Sequence, residues 1–125
     1  MSSLVDASIY RKKEDLSYCI PKPEFGKKEF IEYHFYKSKM DQSNLIQFVK
    51  KLKRTERKTD LVRIIMEFET PSKTYKKVLI YNNLVLEYGD ERYLIDSSFI
   101  NKLFFLPKEI KDDWKREQDC LGYSS

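Results

Sequence analysis

The stretch Leu61-Val62-Arg63-Ile64-Ile65-Met66-Glu67-Phe68-Glu69 decides how this chain folds. Val62, Ile64, Met66 and Phe68 fall at every second position, with Arg63, Glu67 and Glu69 between them. Side chains along a strand point alternately to opposite faces, so this segment reads as a strand with one apolar and one charged face. Such alternation suits an antiparallel sheet that is wet on one side. Thr70-Pro71-Ser72-Lys73 then reads as a turn, followed by a second strand from Tyr75 to Tyr81. Asn82-Asn83 sits between two apolar runs, and Asn tolerates the positive φ that a two-residue hairpin requires. Leu84 to Tyr88 forms a third strand, Gly89-Asp90-Glu91 turns, and Arg92 to Ile95 forms a fourth. Residues 61–95 are thus predicted to be an antiparallel β-meander.

Upstream, Phe30-Ile31-Glu32-Tyr33-His34-Phe35-Tyr36 is rich in aromatics and reads as another strand. Ile31, Tyr33 and Phe35 should share one face, with Glu32 and His34 on the other. Asp41 or Ser43 is placed to cap a helix. Leu45, Phe48, Val49 and Leu52 follow at the i, i+3, i+4, i+7 spacing of an apolar stripe, which predicts a helix over about 43–55. Before these elements, Pro21-Lys22-Pro23-Glu24-Phe25-Gly26 interrupts regular structure. Leu16 to Ile20 alternates as a short strand does. Residues 4–10 either pair with it or form a loose arm, so residues 1 to about 28 are expected to be loosely ordered.

Downstream, Asp96, Ser97 or Ser98 caps a helix whose apolar face is Phe99, Ile100, Leu103 and Phe104. Pro107 ends it and opens the next helix. There Ile110, Trp114 and Leu121 make a narrow stripe before Gly122, a C-cap. The expected architecture is one α+β domain spanning 1–125. It has an antiparallel sheet of about five strands, the inserted helix, and C-terminal helices over about 98–119 on one face.

Composition bounds the function. Hydrophobic residues are 41% of 125, enough for one core, and charged residues are 35%. No apolar run approaches the length of a membrane-spanning helix. Met1 to Tyr10 has neither a basic start nor a long apolar run, so a signal peptide is not expected and a cytoplasmic location is. Cys19 and Cys120 form no CxxC pair and have no histidine nearby; free thiols are expected and a zinc site is not. The net charge of +4 is uneven. Residues 1–60 carry 14 Lys/Arg against 9 Asp/Glu, whereas residues 61–125 carry 10 against 11.

No Walker A loop, dinucleotide-binding glycine fingerprint or nucleophile elbow occurs, and three glycines leave little material for a phosphate-cradling loop. No cofactor is implied. His34 is the only histidine, and Lys37 falls on the opposite strand face from it, so the pair is not a phosphotransfer motif. Glu67 and Glu69 share a strand face, as paired catalytic carboxylates must, but the wet face of an antiparallel strand is ordinarily charged in this way.

Two features point to a partner. Lys50, Lys51, Lys53, Arg54, Arg57 and Lys58 crowd the end of the predicted helix and the turn after it. That density suits phosphates or acidic side chains; it also complements the helix macrodipole at no functional cost. No single-strand-binding or helix-turn-helix signature accompanies it. The other feature is the aromatic content, nine Tyr and eight Phe, with Tyr36, Tyr81 and Tyr88 at strands and offering interface anchors or a stacking platform. The expectation is a non-catalytic protein-binding module: a regulator, inhibitor or immunity-type accessory protein with no membrane role. The alternative is a nucleic-acid-binding accessory protein using residues 50–58. The oligomeric state is not legible.

Overall fold

A computed structural model describes residues 4–12, 31–60, 62–69 and 72–122. Its centre is one antiparallel sheet of seven strands in the order β2-β1-β4-β5-β6-β7-β3. The strands are β1 (Leu4–Lys12), β2 (Ile31–Asp41), β3 (Lys53–Arg54), β4 (Val62–Glu69), β5 (Tyr75–Tyr81), β6 (Val85–Tyr88) and β7 (Glu91–Leu94). Helix α1 (Gln42–Lys50) joins β2 to β3, and α2 (Phe99–Leu103) and α3 (Lys108–Leu121) follow β7.

The α+β architecture and the meander stand as the sequence predicts. Ile64, Met66 and Phe68 of β4 face the core with Val78 and Ile80 of β5 and Leu86 of β6. Helix α1 lays Leu45 and Val49, both fully buried, on that face, and α2 adds Phe99, Ile100 and Leu103. Ile110 and Trp114 of α3 complete the same cluster. Asp41 caps α1 by accepting the Asn44 amide at 2.9 Å, and Gly122 closes α3 at φ +79.

Several details differ from expectation. The sheet has two more strands than the periodicity shows. Residues 4–12 are an interior strand rather than a loose arm, registered between β2 and β4. Val5, Ala7 and Ile9 are its buried face; an alternation carried partly by alanine is a faint signal. The expected 16–20 strand lies outside the described residues.

Helix α1 stops at Lys50 instead of about 55. The Lys51 and Leu52 amides donate to Phe48 and Val49 carbonyls in a closing turn, and Lys53–Arg54 then pairs with β7 as the second added strand. Leu52 remains partly buried against the core, so its i+7 spacing reported burial rather than helix.

β2 runs on to Asp41, beyond the predicted Tyr36, and its apolar assignment is reversed at Phe35. That residue is 78% exposed, whereas Tyr36 turns to the core and Ser38 is buried. At the β5–β6 turn the positive φ falls on Leu84 (+63), after the two asparagines. The Leu84 amide donates to the Tyr81 carbonyl, and its carbonyl accepts the Ile95 amide. Arg63, expected on the wet face, is buried. The β4–β5 register shifts between Val62 and Ile64, so Arg63 sits in a β-bulge that re-aims its side chain.

Candidate functional site

Two surfaces can be built from the candidate residues. The first is the basic segment, which the structure divides. Lys50 and Lys51 close α1, Lys53 and Arg54 form β3, and Arg57 and Lys58 lie on the connection to β4. The arginines have local partners. Arg54 forms an ion pair with Glu91. Arg57 donates from Nη1 to the Asn83 carbonyl at 2.9 Å, and its own carbonyl accepts Arg92 Nη1 at 2.9 Å. Asn83 Nδ2 returns a bond to the Lys58 carbonyl at 2.6 Å. These bonds lace residues 57–58 to the turn after Tyr81. Tyr81 itself bonds Glu87 Oε1 at 3.2 Å and the Thr59 side chain. Arg57, Lys58 and Tyr81 therefore meet at one end of the sheet.

Lys50, Lys51, Lys53 and Lys58 are exposed. The position of Lys53 has a structural explanation. β3 is a sheet edge, and a two-residue edge strand carrying Lys and Arg discourages another chain from pairing there. The guanidinium forks best suited to grip phosphate two bonds at a time are committed within the chain.

The second surface is the sheet face opposite the helices, where α1, α2 and α3 all pack on the other side. Cross-strand registers line up Phe35, Ser8, Ile65, Leu79, Glu87 and Arg92 in one row. A parallel row holds Lys37, Asp6, Glu67 and Lys77. Ser8 is small and lies between Phe35 and Ile65, which leaves an open depression of about 490 Å³ over β1. The charged row closes one end of it, with Lys37 Nζ 2.7 Å from Asp6 Oδ1. Tyr75, 63% exposed, donates to Glu67 Oε2 at 2.7 Å on this face. That hydrogen bond, ahead of desolvation and the carboxylate's charge, raises the Tyr75 pKa. The Tyr81 pKa is raised first by burial and then by Glu87, and that of Tyr93 first by its bond to Glu91.

Of the aromatic candidates, only Tyr81 lies on this outer face. Tyr36 is partly buried on the core side, and Tyr88 stacks on Phe68 with centroids 6.5 Å apart. Among the described residues the exposed aromatics are instead Phe35, Tyr75 and Phe105. Strand periodicity could have found Phe35 had Ser38 and Met40, rather than Ile31, been used to set the inward phase.

Among the described residues no group of three or more His, Cys, Asp or Glu could hold a metal ion. No described helix is long and apolar enough to cross a membrane. Glu67 is exposed and tied to Tyr75 and, at 3.8 Å, Lys77. Comparison with protein-family models, with curated proteins and with solved structures gives no match.

Proposed function

We propose that this chain is a non-catalytic protein-binding module of regulator, inhibitor or immunity type, acting in the cytoplasm through the outer face of its sheet. One observation carries the reading: an apolar centre of Phe35, Ile65 and Leu79, covered by none of the three described helices and bordered by Lys37, Asp6, Glu67, Glu87 and Arg92. An apolar patch with a charged rim is the anatomy of a protein interface, where a few aromatic or aliphatic anchors supply most of the affinity. The basic segment supports the nucleic-acid alternative less well, because its arginines are engaged internally and Lys53 also protects a sheet edge.

Affinity capture from host lysate, followed by calorimetry with the purified partner, tests this. Leu79→Lys should weaken the complex at least tenfold while the variant melts like the parent. Lys50→Glu with Lys53→Glu should leave it within a few-fold. The reverse ranking overturns the proposal.

A further inference from the structure

The two ends of the sheet are built differently. β3 is two residues long, exposed and basic. β2 is eleven residues long and, among the described residues, pairs on one side only, with β1. Its second half is irregular in register. Leu4 pairs with Asp41 and Asp6 with Lys37, so residues 38–40 stand opposite Val5 alone. Its first half, residues 31–37, keeps regular register with β1 and contains no proline or glycine. A regular edge rich in aromatic residues is a template for another strand.

We propose that β2 pairs edge to edge with β2 of a second copy of this chain, antiparallel about a two-fold axis at Phe35. A strand is its own complement under such an axis, because each residue i meets residue j while j meets i. Keeping both sheets facing the same way requires the axis to pass through a residue position. With the axis at Phe35, that residue opposes its mate, Tyr36 opposes the partner position 34, and Lys37 opposes position 33. No like charges are opposed in this register, whereas an axis at Lys37 would set lysine against lysine. It also sets Phe35, the most exposed apolar side chain described on the strand, against an identical ring across the axis. The pairing uses the strand edge; it shares Phe35 with the partner site on the sheet face, whose other apolar residues, Ile65 and Leu79, lie on interior strands.

Sedimentation velocity tests it. The parent should sediment at high micromolar concentration with about twice the mass of the 15.1 kDa chain. Phe35→Lys and Phe35→Glu should each be monomers, since each opposes like charges at the axis. An equimolar mixture of the two should recover the dimer. Because Phe35 is exposed, both variants should keep the parent's melting profile, which circular dichroism checks. Leu79→Lys should leave the dimer intact. A monomeric parent overturns the inference and leaves the sheet-face reading standing. So does a dimer that survives in Phe35→Lys alone, or a mixture of folded variants that stays monomeric.

Discussion

Arg63 and Glu117 form a buried, forked ion pair that fastens α3 to the bulge in β4. Arg63 Nε lies 2.6 Å from Glu117 Oε1, and its Nη2 donates to Oε2. The two residues are 5% and 7% exposed. Gln118, the residue after Glu117, and Asn82, to which it bonds, are buried as well, so four of the six buried polar residues among those described belong to this junction. Gln118 Nε2 donates to the Asn82 carbonyl, while Trp114 Nε1 reaches the Ser97 carbonyl at 3.0 Å. Among its described side chains, helix α3 is thus docked by Ile110, Trp114 and a polar latch.

Breaking the latch on one side should cost far more than replacing it. Glu117→Ala strands a buried guanidinium without its carboxylate and should lower stability by about 3–5 kcal/mol. Arg63→Met with Glu117→Leu removes both charges and should cost much less, since burying an ion pair is itself expensive. Urea unfolding of the two proteins beside the parent measures the difference.

Among the described residues two non-glycine residues hold positive φ, Lys73 at 64° and Leu84 at 63°. Left-handed backbone costs an L-residue about 1–2 kcal/mol, much of which glycine avoids. Lys73 is exposed, so Lys73→Gly should stabilise the protein by about 0.5–1 kcal/mol. Leu84 is 8% exposed. Leu84→Gly should therefore destabilise, because losing a buried leucine side chain costs about 2–5 kcal/mol and outweighs the relief of strain. Denaturation midpoints give both signs.

The core face of β4 admits a sharper test. Ile64 is 1% exposed and pairs in register with Ile9 and Ile80. Ile64→Asp places an unpaired carboxylate in the core at a cost of several kcal/mol and should leave the chain unfolded by circular dichroism.

Alkaline pH should weaken the fold. Tyr75, Tyr81 and Tyr93 all have raised pKa values, Tyr75 and Tyr93 chiefly through bonds to Glu67 and Glu91, Tyr81 chiefly through burial. Each keeps its proton more tightly when folded than when unfolded. Their contribution is complete below the ordinary tyrosine pKa and is lost as pH climbs through the raised folded values. The melting temperature should fall above about pH 10, and Tyr93→Phe should flatten that fall.

Much of this structure can be read from residue spacing. The alternation in Val62–Phe68 and the stripe Leu45, Phe48, Val49 fix the meander and the helix that covers it, because burial on one face is what produces those periods. The unread parts have physical causes. β1 hides its period behind Ala7. Leu52 keeps helical spacing after α1 has turned off. Arg63 leaves its face through a bulge, and a bulge leaves no mark in composition. The candidate surfaces depend on inward and outward phase. In β2 the spacing groups Phe35 with Ile31 and Tyr33 without marking it as exposed, and it offers Tyr36, which turns to the core, as the surface anchor.

The most direct test of the central claim is the salt dependence of partner affinity. The apolar sheet face predicts a complex whose affinity changes little between low and physiological salt. Ile65→Lys or Leu79→Lys should weaken it at least tenfold, and neither DNA nor heparin should bind at physiological salt. A log–log salt slope of about −3 to −4, expected if the four exposed lysines of residues 50–58 displace counterions from phosphates, would contradict it. Loss of that binding in Lys50→Glu with Lys53→Glu, but not in Leu79→Lys, would complete the contradiction.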